Sequence, residues 1–468
     1  QVKPGVPPTP RPSKGFDAKT SVEVPERRTA TSSTFRNADG TETVITSGEP
    51  MFFQDDQGGW QPIDSTLAVE EKTGLVSSKA NAWKVSFGPL ATVGVTVSQA
   101  GDDVAWVGVD ANDVAPVIEP DGVSVRYAQA WPGVDVVYRV RSGEVEELVQ
   151  YTSPDATDTV AFDLAGVTAA KDDKGTTKLK KGRLELTAGP VLTFDAQGRT
   201  IDAEAKAAAK ADKHPSKADA SQAVVSVDKQ WLKKQPKERF PITVDPSVSP
   251  TLSSIGVYPT PNAFYGSFSD GTGWIGYPNG SEVPTMSWRT VAGFAYSSLL
   301  GKRVTSAQLS MTMLTNSVAA SEPVSVYWAN AADNHATTPP KVMPPPYPYG
   351  NGWTAYGTGT LGATGSTGTV DVTSLVDYWT RNSVSGGQFL ILGNETQNST
   401  DHKKHFSLTL AVTYNAPPSA PVLTAASNPP DAARWLSAPA YLTTSASTDA
   451  ESDPLSYRVE ISDTADFS

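Results

Sequence analysis

Residues 304 to 313, VTSAQLSMTM, put Ala307, Leu309, Met311 and Met313 on one side of an extended chain and Gln308, Ser310 and Thr312 on the other. That period of two belongs to a half-buried strand, because successive side chains leave a strand on opposite faces. The same period returns through Val134, Val136, Tyr138 and Val140, and again through Phe406, Leu408, Leu410 and Val412. A chain with so many two-faced extended segments has to stack sheets, since each apolar face needs another to cover it.

The punctuation agrees. With 37 Gly and 37 Pro among 468 residues, apolar runs stay short and turns are frequent, so an all-β chain is predicted. Further strands are expected at 42–45, 51–54, 83–87, 93–97, 184–187, 191–194 and 242–244. Residues 124 to 152 read as strands broken at Trp131, Pro132 and Gly133 and turned again at Ser142 and Gly143, with Val145, Glu147, Val149 and Tyr151 sharing a face. Only residues 201 to 223, rich in Ala and Lys, depart from the pattern, and they read equally as a short helix stopped before Pro215 or as a surface insertion.

Length suits several domains. The expected organisation is a Pro-rich tether over 1–20, a β-rich domain over 21–246, a β-sandwich or jelly roll over 252–415, and an incomplete unit over 417–468. Two or three strands in that last unit are too few to cover a core of their own. The opening Gln1 and the Pro-rich stretch after it suit a tether following a removed export signal, so a secreted or cell-surface location is expected.

Charge and composition narrow the partners. A net charge of −12 argues against nucleic acid, which requires clustered cations. The basic run KLKKGR at 178–183 reads as a solvated hairpin turn at Gly182, with an anion patch as the alternative. No run approaches the ~18 apolar residues of a membrane span, and the absence of cysteine excludes disulfides and thiolate metal sites.

Catalytic signatures are sparse. The segment DHKKH at 401–405 reads as a surface loop, with a shared metal between His402 and His405 as the alternative. GTGTLG at 357–362 matches a dinucleotide fingerprint by letters alone, because no strand, turn and helix surround it. Glu144, Glu146, Glu147, Glu282, Asp371, Asp377 and Glu395 read as solvated carboxylates, although two acids across a cleft would suit glycoside chemistry. Asp449, Glu451 and Asp453 alternate in a turn-forming segment that suits Ca²⁺, the only cofactor suggested.

The aromatic residues carry the binding expectation. Trp288 and Trp328 fall within strand patterns and read as core, whereas Tyr347, Tyr349, Trp353 and Tyr356 lie in the proline-stiffened loop PPPYPYGNGWTAYG. Exposed rings there would stack on sugar faces, with hydrogen bonds from Asn351, Thr354 and Asn394.

Several of these segments together resemble a known module. WRTVAGFAYSSLLGKRVTSAQLSMTML, GTVDVTSLVDYWTRNSVSGGQFLILGNE and HFSLTLAVTYN resemble the DNRLRE domain, a β-sandwich of secreted bacterial proteins, over about residues 255 to 415, although the six-letter motif itself is absent. AWPGVDVVYRV and RFPITVDPSV look like the β-rich segment before such modules in large actinobacterial Rhs/YD-repeat proteins, and TDAESDPLSYRVEIS resembles the start of a fibronectin type III or Ig-like repeat. The resemblance implies the N-terminal region of a long exported, polymorphic-toxin-like protein. The expected role is non-catalytic: surface presentation and binding of a glycan or cell-envelope polymer. The alternatives are a cap or plug against the YD-repeat shell of the same polypeptide and, third, a glycoside-active enzyme.

Overall fold

A computed structural model describes residues 15–457 apart from 166, 172–176, 189–190, 199–200, 202–204, 214–220, 247, 250–254, 260–265, 268–271, 278–286, 315–317, 330–345, 348–354, 385–386, 397, 399, 416–417, 428–440 and 450–454. Strands dominate, arranged in antiparallel sheets, so the all-β expectation holds.

Two sheets of eight and ten strands, counted among the described residues, form the first body. Val85, Val97, Val104 and Trp106 from one sheet meet Val125, Tyr127, Val136, Tyr138 and Val149 from the other in a single buried core. The hairpin Ser124–Trp131 and Val134–Val140 closes through Gly133, whose φ of +75° suits glycine; a Cβ there would come within 2.7 Å of Ala156 Cα. KLKKGR forms the predicted hairpin, Thr177–Lys181 against Leu184–Ala188.

The helix reading of the Ala/Lys segment is corrected: Ala208–Lys213 is a strand, paired antiparallel with Ser221–Ser226 at the edge of the eight-stranded sheet. Helix preference among ordinary residues amounts to only tenths of a kcal/mol each, and a ladder offering a hydrogen-bonded edge overrides it.

The second body is also a sandwich. Ala307, Leu309, Met311, Phe406, Leu408 and Leu410 from one sheet pack with Val324, Val326, Phe389 and Ile391 from the other. A nine-residue helix, Thr373–Arg381, covers one end and buries Leu375, Val376, Trp379 and Thr380.

One sheet crosses the sequence division at 246 to 252. Val22–Glu23, Ser32–Arg36 and Glu42–Ser47 join the second sandwich, with Glu42–Ser47 lying antiparallel to Lys404–Asn415. Val22, Arg36, Glu42 and Tyr414 stand in one row across four strands. Arg27 clasps this row, donating to both oxygens of Glu42 and, at 2.7 Å, to the Tyr414 hydroxyl. Residues 417–468 contribute a hairpin, Leu423–Ser427 with Tyr441–Thr444. No helix among the described residues is long and apolar enough to cross a membrane.

Candidate functional site

Helix spacing creates an aromatic corner. Because Leu375, Val376, Trp379 and Thr380 turn inward, Tyr378 is left facing out and is 50% exposed. Its ring lies 5.6 Å from that of Trp328, tilted by 59°, and Trp328 in turn leans edge-on against Trp379 at 6.0 Å. Trp379 is held by Phe389 at 4.9 Å and by a stacked Tyr296 at 5.7 Å. Tyr378 is thus an exposed ring whose inner side contacts a cluster of buried rings, Trp328, Trp379, Phe389 and Tyr296.

The sequence-predicted loop begins beside it. Pro346–Tyr347 pairs with the end of Glu322–Ala329 in the register Trp328 to Tyr347. Tyr349, Asn351, Trp353 and Thr354 lie outside the described residues. Tyr356 departs from the expected exposure: its backbone N–H donates to Val326 O at 2.9 Å and its ring packs, half-buried, on the sandwich core. Trp288 and Trp328 are buried, as expected of strand aromatics. Tyr378 went unnoticed in the sequence; the signal was the inward quartet around it.

Asn394 is turned inward. Its amide donates to Glu322 Oε2 at 3.0 Å, and His402 Nδ1 lies 2.7 Å from Glu322 Oε1 and 3.0 Å from the Asn394 amide nitrogen. DHKKH is therefore no surface loop: His402, Lys403, Lys404 and His405 are all buried at the start of Lys404–Asn415.

Each of these side chains is satisfied in its own way. Lys404 donates to three carbonyls, Val318 at 2.7 Å, Ala320 at 2.6 Å, and Gly362, while burial lowers its pKa. Lys403 donates to Gly198 O and lies 4.8 Å from the Phe194 ring centre and 5.5 Å from that of Trp274. Trp274 is stacked between Phe194 at 5.8 Å and His405 at 3.9 Å. Burial pushes the Asp401 carboxyl above its ordinary range, opposed by the Lys403 charge. The two histidines part company, His405 Nε2 reaching Thr272 Oγ1 at 3.1 Å, so they do not converge on one metal. This buried cluster joins residues 194–198 of the first body to the second through the Lys403 bond to Gly198 O and the stacking of Phe194 on Trp274, and leaving such a buried charge unpaired would be costly.

Of the carboxylates expected to be solvated, Asp371 is exposed and Asp377 and Glu395 are half-buried, whereas Glu144, Glu146 and Glu147 are buried; most have a partner. Glu146 pairs with Arg139 at 2.8 Å, Glu395 with Arg289, Asp371 accepts from Thr373 N at 2.9 Å, and Asp377 from Val304 N at 3.0 Å. Glu144 and Glu147 are buried, and Glu147 accepts from the Tyr138 hydroxyl at 2.9 Å. Burial pushes the Glu147 carboxyl up to about 7. Glu282, Glu451 and Asp453 lie outside the described residues, while Asp449 is half-buried. Among the described residues, no group of three or more His, Asp or Glu gathers as metal ligands.

No family model matches the chain, and no curated protein is similar to it. Among solved structures, a Paenibacillus xanthan lyase aligns at 7% identity over 85% of this chain, which spans 55% of that one. At a TM-score of 0.12 that likeness carries no argument.

Proposed function

We propose that this chain is a non-catalytic display module of an exported protein and that its ligand is a carbohydrate of the cell envelope or of a target surface. The observation that carries the reading is the aromatic corner. Tyr378 offers a flat, half-exposed ring packed against buried Trp328, beside the strand that leads into the Tyr- and Trp-rich loop. Sugar rings present flat C–H faces, and stacking on an aromatic with a polar tip binds them without any covalent step.

The topology suits display. Val22 and Tyr414 stand in one row, three strand spacings apart, roughly 14 Å at ~4.8 Å per spacing. In the long Rhs/YD-repeat chain that the resemblance implies, the incoming and outgoing strands of this body would lie side by side in one sheet.

A glycan array with the full chain tests the reading. Tyr378→Ala is expected to weaken the best ligand about tenfold, the scale of one lost stacking contact at ~1.4 kcal/mol. Unchanged binding by that variant would sink the corner. Release of reducing sugar from the bound glycan would replace the display reading with the enzymatic one.

A further inference from the structure

The first body carries a concavity of its own. A cleft of about 520 Å³ opens beside Asp64–Val69 and Val76–Ala80 of the eight-stranded sheet, with Phe53 of the hairpin Phe52–Gln54 and Trp60–Pro62 in its lining. Its size falls in the ~300–1,000 Å³ range of small-ligand sites. Phe53, Glu70, Ser77, Lys79, Asn81 and Lys84 line it.

Three features define what the cleft suits. Phe53 supplies a partly exposed ring at one wall. Glu70 Oε1 receives the Lys84 ammonium at 2.8 Å and the Ser77 hydroxyl at 3.2 Å, so an anionic acceptor and a cationic donor stand side by side. That pair matches two neighbouring hydroxyls of a sugar, one donating to the carboxylate and the other accepting from the ammonium. Hydrogen bonding, chiefly from Lys84, holds the Glu70 carboxyl below its usual range.

Charge selects among sugars. The charged residues lining the cleft are Glu70, Lys79 and Lys84; Lys84 is matched by Glu70, and Lys79 lies 3.9 Å from Asp64, which stands outside the lining. The chain's net charge of −12 repels an acidic polymer and leaves a neutral one unaffected.

We infer that this cleft is a saccharide-binding position for a neutral hexose chain, held by Phe53 under one sugar face and by the Glu70 and Lys84 pair on a vicinal diol. The inference shares only its ligand class with the display reading; its residues and its body are separate from the Tyr378 corner.

Calorimetric titration of the full chain with neutral hexose oligosaccharides of several linkages, and with polygalacturonate as the acidic comparator, tests it. Phe53→Ala and the near-isosteric Glu70→Gln are each expected to weaken a neutral oligosaccharide about tenfold while the melting transition is retained. Tyr378→Ala should leave this binding in place, so loss confined to the Phe53 and Glu70 variants supports the cleft even if the corner fails. The inference is overturned if no neutral oligosaccharide binds, if both variants bind like the parent chain, if Tyr378→Ala alone removes all binding, or if only polygalacturonate binds with a salt-sensitive affinity.

Discussion

The strand Lys404–Asn415 has Arg303–Met313 along one side and Thr272–Ile275 and Glu42–Ser47 along the other, and Arg303–Met313 and Glu42–Ser47 are built on opposite principles. Arg303–Met313 offers Ala307, Leu309, Met311 and Met313 to the sandwich core. Glu42–Ser47 lies on the other flank with its partner Ser32–Arg36, and their buried side chains are Ser32, Ser33, Thr34, Thr43, Thr46 and a single core aliphatic, Val44. There Asn37 donates to Thr41 at 2.9 Å and Thr43 at 2.8 Å, and Thr43 meets the hydroxyl of Thr413 at 2.8 Å. One flank is held by removal of apolar area from water, the other by hydrogen bonds that replace those to water. Apolar burial yields about 25 cal/mol per Å², whereas a typical hydrogen bond nets only about 1 kcal/mol, so the polar flank is expected to open first.

Truncation on the apolar flank should have the largest effect. Leu309→Ala removes a fully buried side chain and is expected to cost about 2–5 kcal/mol in urea unfolding. A loss below 1 kcal/mol would show that the site collapses and would blur the contrast.

Next comes a polar group set among the apolar residues of the first body. Glu147 has its carboxyl pushed up to about 7 by burial, from an ordinary 4.5. At pH below 4.5 the acid is neutral both folded and unfolded, and its burial carries no charge penalty. As pH rises toward 7 the unfolded chain ionises first, so stability falls across that window by on the order of 3 kcal/mol and levels off above it. Glu147→Gln should flatten this slope, as read from urea midpoints between pH 4.5 and 8. An identical slope in the variant would place the titration elsewhere.

On the polar flank, Asn37→Ala leaves the Thr41 and Thr43 hydroxyls without their donor and is expected to cost about 1–3 kcal/mol. Hydrogen exchange should accelerate across 42–47 while 306–313 stays protected. Equal acceleration on both flanks would mean that they unfold as one unit.

The smallest effect belongs to the solvent face of the apolar strand. Ser310 shares an exposed hydroxyl contact with Thr369 at 3.3 Å, and Ser310→Ala should change stability by no more than about 0.5 kcal/mol.

The contrast also explains what could be seen in advance. Arg303–Met313 and Lys404–Asn415 were legible because apolar alternation records which face is buried. That Glu42–Ser47 is a strand was also legible, but not its sheet, since Thr and Ser on a buried face look the same as Thr and Ser in water. The corner was half-legible: the aromatic-rich loop next to it stood out, while Tyr378 was hidden in a helix whose inward residues Leu375, Val376 and Trp379 had not been read as helical. DHKKH misled for a related reason. Charged letters signal solvent unless partners are known, and the partners of Lys403 and Lys404 are backbone carbonyls of Gly198, Val318, Ala320 and Gly362, far along the chain.

By itself the amino-acid order determined that this protein would be built from stacked antiparallel strands, because the period of two and the dense Gly and Pro are local properties that each segment carries alone. Only the tertiary structure decided that the chain's first strands complete its second sandwich, that two lysines and two histidines lie buried in DHKKH, and that Tyr378 stands exposed at the corner. Those outcomes depend on which distant groups meet, and hydrogen-bond partners leave no periodic trace in a sequence.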